Sequence, residues 1–123
     1  KLGLSNIKTI LGRAEEWGHD PLMREQFDRV IARAVAPLSV LLELGLPLVH
    51  LNGRFIAYKG PDYLNELAQS RNAIQSLQVE SPQVKLYSLP EGMGERTFLM
   101  VSKKLQTPAR YPRRDGMPAK KPL

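Results

Sequence analysis

The sequence predicts an α/β fold: a mostly parallel sheet joined by helical crossovers, with an antiparallel hairpin at the C-terminal end. Two observations carry this. Short strand-like runs at 6–11 (NIKTIL), 27–32 (FDRVIA) and 54–58 (RFIAY) alternate with stretches that read as helices. Two later runs, 84–89 and 96–103, flank Pro90-Glu91-Gly92-Met93-Gly94, the loop of a hairpin. Strand–helix–strand units of this kind join parallel strands by right-handed crossovers.

Each element has its own signal. The first run is rich in Ile and ends at Gly12, and Ala14-Glu15-Glu16-Trp17 follows as a short helical or irregular stretch. Residues 18–25, with Pro21 inside, read as a loop before the second strand, which ends at Arg33. From 37 to 49, Leu38, Leu41, Leu42, Leu48 and Val49 mark a helix buried on a broad face. Pro37 suits its first turn and Asn52-Gly53 is expected to stop it. After the third strand and Lys59-Gly60-Pro61, Asp62 is placed to cap a helix running through Tyr63, Leu64 and Leu67 to about 73–74.

The charge is unevenly spread. Residues 103–123 hold seven Lys and Arg against one acid, Asp115, which accounts for the whole formal net charge of +6. Residues 1–102 are formally neutral. Pro108, Pro112, Pro118 and Pro122 are spaced so that no helix is expected to run through this segment. Extended, it offers Arg110, Arg113, Arg114, Lys120 and Lys121 to successive phosphates, with Tyr111 available to stack on a base. These cations read as too closely spaced to be ion pairs with a body whose charges already balance. The other reading is a solvated terminus. The expected division is 1–103 for the folded body and 104–123 for the basic, proline-rich tail.

Composition sets limits. A chain of 123 residues with 42% hydrophobic content forms one domain with a modest core. The absence of cysteine excludes disulfides and thiolate metal sites and suits a cytoplasmic location. No apolar run approaches the roughly 20 residues needed to span a bilayer, and no signal peptide is visible at the start. His19 and His50 stand apart with no ligand spacing around them, so no metal is expected. Trp17 reads as a packing residue.

Mostly parallel sheets bind ligands beyond the carboxyl ends of their strands. Ala14 and Glu15 follow the first strand, Arg33 the second and Lys59 the third. Singly, Glu15 reads as a first-turn helix acid, Arg33 as an ion-pair partner and Lys59 as a solvated charge. Together along one edge they outline a ligand crevice.

The order GRAEE (12–16), FDRVIARAVAPL (27–38), GRFIAYKG (53–60) and the terminal RYPRR…GMPAKKPL resembles the RsmG family, also called GidB. The resemblance runs over nearly the whole chain, and RAVAPL and YPRR-x-G-x-P-x-KKPL are its specific parts. It implies a class I, Rossmann-like methyltransferase fold, S-adenosylmethionine as cofactor, and methylation of guanine N7 in 16S ribosomal RNA. It sets Ala14 and Glu15 beside the adenosine and Arg33 against the cofactor. Lys59 matches a lysine after the family's fifth strand and is carried, with the tail cations and Tyr111, as an RNA-facing residue. The glycine-rich turn that holds the cofactor in this family has no counterpart among the scattered glycines here. The chain therefore resembles the C-terminal half of such an enzyme, and this stretch alone is expected to be inactive. An open sheet edge and an uncovered apolar face predict that it self-associates.

The implied chemistry suits the residue inventory. Guanine N7 carries no proton, so its methylation needs no general base, only alignment of N7, methyl carbon and sulfur. No nucleophile–base pair or carboxylate cluster is seen, and no catalytic residue is assigned. Two other functions stay open: a non-catalytic RNA- or ribosome-binding module, and a methyltransferase of the same fold with another substrate.

Overall fold

The computed structural model describes residues 6–33, 36–92 and 94–123. Ala34 and Val35 of the RAVAPL motif and Met93 of the expected hairpin loop lie outside them. Four strands form one sheet in the order β1-β2-β4-β3: β1 (Phe27–Ala32), β2 (Val49–Lys59), β3 (Gln83–Ser88) and β4 (Glu95–Ser102). β1 pairs parallel to β2, and β4 lies antiparallel between β2 and β3. β1, β2 and β3 therefore run the same way, and the connection from β2 to β3 passes over the place that the hairpin's return strand fills.

The helices are α1 (Ala14–Trp17), α2 (Leu38–Gly45), α3 (Tyr63–Gln69), α4 (Arg71–Ser76) and α5 (Met117–Lys120). α2 touches each of the others, so the helices form one layer around it. Its Leu38, Leu41 and Leu42 pack with Leu46, Phe55, Ala57, Leu99 and Val101 to make the core. Each fully buried leucine there stabilises the fold by about 1.5–3 kcal/mol. Gly45 lets the end of α2 press onto the sheet, since a Cβ there would sit 2.3 Å from the Phe55 ring. On the other face, alternation brings out Ile31, Ile56, Tyr58, Phe98, Met100 and Tyr87. The Phe98 ring meets Tyr58 edge-on at 4.5 Å and stacks on Tyr87 at 4.9 Å.

Three sequence expectations are corrected. Residues 7–11 form no strand, and Ile7, Ile10 and Leu11 are exposed. A strand is stable only against a hydrogen-bonded neighbour, and none pairs with this run among the described residues. The helix expected to Val49 ends at Gly45, because Pro47 falls in a single 3-10 turn, Leu46–Leu48, and β2 starts immediately after it. Asn52-Gly53 lies inside β2 as a bulge where the register with β1 slips. Asn52 takes φ 69, its N–H donates to the Lys103 carbonyl at 2.7 Å, and the Lys103 N–H donates to the Gly53 carbonyl at 3.0 Å. A Cβ on Gly53 would approach the Asp28 carbonyl to 2.7 Å, which leaves glycine the residue that fits. The helix after Asp62 breaks at Ser70 into α3 and α4, and Asp62 contributes no side-chain cap.

The C-terminal segment also departs from expectation. Residues 104–123 lie against the body, with Tyr111 in the core and Pro112 and Pro118 buried. The Tyr111 ring is therefore packed and not available to stack on a base. Pro118 stands in the first turn of α5, where its missing N–H leaves no helical bond unmade, so a short helix does form here. Arg24, in the loop before β1, donates to the carbonyls of Gly18 and Tyr111 at 2.7 Å, Thr107 at 3.0 Å and Pro108 at 3.1 Å. Lys103 is fully buried; its ammonium meets Glu25 at 2.8 Å and the Leu46 carbonyl at 2.8 Å. Glu25 also accepts from the Thr107 N–H at 3.2 Å. His19 bonds the Pro112 carbonyl through Nε2.

Burial pulls the Lys103 ammonium below its usual range, with Glu25 acting against it. Burial works to raise Glu25, but Lys103 and the Thr107 N–H hold it below the ordinary carboxylate value. Glu15 behaves likewise: burial raises it, and the Gly116 N–H and Arg13 bring it below.

Two outcomes follow. Lys103→Met removes one partner of a buried pair and should lower stability by about 3–5 kcal/mol, read as a shift in the urea midpoint; an unmoved midpoint would show the pair to be idle. Carboxyls lowered by folding stabilise above their unfolded value of 4.5 and lose that contribution as pH falls through the folded values. Stability should therefore decline on acidification below about pH 4.5, and less steeply in Glu15→Gln than in the wild type. Equal acid limbs in the two proteins would remove Glu15 from the account.

Candidate functional site

The carboxyl ends of β1 and β2 lie side by side, held by the Ala32–Ala57 register pair. Arg33 leaves β1 there, exposed, its guanidinium 5.5 Å from the centroid of the Tyr58 ring. A cation–π contact of this kind holds a guanidinium in place while its N–H donors stay free for a ligand. Beyond the end of β2 a cleft of about 500 Å³ is lined by Pro61, Tyr63, Leu86, Gly94, Arg96 and Thr97.

Lys59 sits at this edge but faces inward. Its ammonium donates to the Ala36 carbonyl at 2.7 Å and pairs with Glu66 at 2.9 Å, with 6% of the side chain exposed. Glu66 Oε1 in turn accepts the Leu38 N–H at 3.0 Å, an otherwise unpartnered donor in the first turn of α2. The pair fastens the loop after β1 to α3. Lys59 is thus neither a solvated charge nor a phosphate ligand in this structure, because the polar groups left at the start of α2 occupy it.

Glu15 is likewise committed. Its buried carboxylate accepts from Arg13 at 2.9 Å and from the Gly116 N–H at 2.9 Å, and Arg13 also reaches Asp115 at 3.5 Å. No hydrogen bond or ion pair among the described residues joins Ala14 or Glu15 to Arg33. Of the three sequence-predicted positions along the edge, Arg33 presents its side chain, whereas Glu15 and Lys59 turn theirs to the fold.

Sequence reasoning missed Glu43, which ties the C-terminal segment to α2. It is fully buried, and Arg113 meets it with backbone N–H at 2.8 Å, Nε at 3.0 Å and Nη2 at 2.8 Å. The Glu43 carboxylate raises the Arg113 guanidinium above its ordinary value, against the effect of burial. This corrects the expectation that no tail cation pairs with the body. A balanced charge count does not say which acid meets which base. The signal was present: one carboxylate inside SVLLELGL, on a helix read as buried, requires a cation. The exposed cations of the segment are then Lys104, Arg110, Arg114, Lys120 and Lys121. They make no ion pair among the described residues, and Arg110 lies 4.9 Å over the Tyr111 ring.

No described helix is long and apolar enough to cross a membrane. No group of three or more potential metal ligands occurs among the described residues.

Comparison with known proteins bears on this arrangement directly. The family model described as rRNA small subunit methyltransferase G (GidB) matches residues 1–96. Curated relatives named ribosomal RNA small subunit methyltransferase G match the whole chain. Those of Oceanobacillus iheyensis and Brevibacillus brevis are 48% and 44% identical over 123 residues, covering 52% of each relative. That of Lactobacillus acidophilus is 46% identical over 123 residues and is covered to 51%. The chain spans about half the length of these relatives. The motifs around Arg13–Glu15, Arg33, Lys59 and the C-terminal segment all fall within the aligned 123 residues, and the chain belongs to the rRNA small subunit methyltransferase G family.

Proposed function

We propose that the protein containing this chain methylates guanine N7 in 16S ribosomal RNA, with S-adenosylmethionine as methyl donor, and that the chain is the C-terminal half of its class I methyltransferase fold. The observation that carries the reading is identity of 43–48% across the chain to relatives named as rRNA small-subunit methyltransferases. The mixed sheet, with three parallel strands and an antiparallel one inserted, is consistent with it.

S-adenosylmethionine, when bound, supplies an electrophilic methyl group on a sulfonium sulfur. The residues here fit such a ligand through Arg33, an exposed guanidinium seated over Tyr58 at the carboxyl edge of the sheet. Ala14 and Glu15 are assigned to the adenosine by the family resemblance alone, and Glu15 holds α1 to the C-terminal segment. Guanine N7 offers an in-plane lone pair and no proton, so the chain has to orient and exclude water and needs no base. The target base must leave its stack to be reached. The exposed cations Arg110, Arg114, Lys120 and Lys121 contact RNA phosphates, which position the enzyme and carry little sequence information. Arg113 and Tyr111, engaged within the fold, support this surface from beneath.

Arg33→Ala in the intact protein should weaken cofactor binding by roughly tenfold or more, the loss expected for a charged hydrogen-bonding partner. Calorimetry showing unchanged affinity would withdraw Arg33 from the site. The product is checked by mapping N7-methylguanine in 16S rRNA after incubation with the protein; methylation elsewhere, or none, would overturn the assignment. Replacing Arg110, Arg114, Lys120 and Lys121 together by Ala should lower the slope of log affinity against log salt by up to about 3, at about 0.7 per single-strand phosphate contact. A slope equal to wild type means that these cations do not meet RNA.

A further inference from the structure

The exposed cations of the C-terminal segment stand on a backbone fastened from below at two points. At one, a single guanidinium bridges two parts of the molecule: Arg113 grips both oxygens of Glu43, and its Nη2 also donates to the Lys121 carbonyl at 2.6 Å. At the other, Glu15 on α1 accepts the Gly116 N–H at 2.9 Å. Between them the turn is internally bonded, with Met117 N–H to the Arg114 carbonyl at 3.0 Å and Lys120 N–H to the Gly116 carbonyl at 3.0 Å. Arg114, Lys120 and Lys121 are therefore carried on one fixed turn, with Arg110 entering it over the Tyr111 ring.

We infer that Glu43 and Arg113 are positioning residues for RNA binding: they hold Arg110, Arg114, Lys120 and Lys121 as one preformed cationic surface for the phosphate backbone. This rests on the proposed contact between the segment and RNA. A loose basic tail loses conformational freedom when it binds, whereas a surface already fixed does not, and affinity gains accordingly. Glu43 thus favours binding of a polyanion although it is itself an anion.

That sign separates the inference from bulk electrostatics. Glu43→Gln removes one negative charge and loosens the hold on Arg113, because an amide offers one acceptor oxygen in place of two; charge alone then predicts tighter RNA binding. Positioning predicts the reverse: affinity for a 16S rRNA transcript lower by about tenfold, with a shallower salt slope. Arg113→Lys keeps the charge but loses the fork that grips two oxygens at once. It should also bind more weakly and with a shallower slope, compared at a temperature where both proteins are folded. Arg113 is partly exposed, with 26% of its side chain accessible, so the lysine variant decides the matter even where Glu43→Gln does not fold. Wild-type affinity and slope in Arg113→Lys, or tighter binding in Glu43→Gln, overturn the inference. The fourfold alanine variant reports on the underlying contact separately: its shallower slope beside a wild-type Arg113→Lys leaves RNA contact standing and removes positioning, while its unchanged slope removes the contact.

Discussion

A carboxylate without solvent, Glu43, sits near the C-terminal end of α2, the helix that α1, α3, α4 and α5 all touch. Burying an isolated charge there would cost several kcal/mol, and the fold tolerates it only because Arg113 brings a matching fork and a backbone N–H to the same two oxygens. The consequence reaches further than one ion pair. Arg113 lies 70 residues away in sequence, so satisfying Glu43 draws the last segment of the chain across α2. Tyr111 and Pro112 are thereby brought inside. Lys103 with Glu25, and Arg24 with its four carbonyls, fix the start of the same path. These interactions are mutually dependent: each closes a long loop that the others have already shortened.

The opposite end of α2 uses the same device on a smaller scale. The backbone groups at the start of the helix are taken by Lys59 and Glu66, one from the end of β2 and one from α3. The loop that carries Arg33 out of β1 is thereby secured on its far side, while Arg33 rests on Tyr58. One helix thus has a charged pair at each end. One pair holds the loop beside the candidate cofactor edge; the other holds the cationic segment. Each pair has one charge buried, Lys59 in one and Glu43 in the other, where attraction is less screened by salt than at the surface.

Most strands and helices were legible in the sequence because local patterning specifies them. β1 was read to the residue, the hairpin within one residue at each end, and the parallel pairing of β1 and β2 from the helix between them. The errors have physical reasons. Residues 6–11 carry strand-like composition, yet a strand requires a partner that composition cannot supply. Asn52-Gly53 satisfies the dihedral demands of a helix stop and of a strand bulge equally well. Only the hydrogen bonds to Lys103 distinguish the two.

At the site, the sequence by itself determined the family signature, the position of Arg33 after a strand, and the concentration of charge in the last 21 residues. Those are properties of residue order, and residue order is sufficient for them. Which charges remain free was decided only by the tertiary structure. Lys59, Glu15 and Arg113 all looked available and all are engaged, because ion pairing depends on distance in space: Lys59 and Arg113 meet partners elsewhere in the fold, and Glu15 is shared between Arg13 and a distant backbone N–H. Arg33, Arg110, Arg114, Lys120 and Lys121 looked no different in the sequence, and they are exposed, with no ion pair to any of them among the described residues.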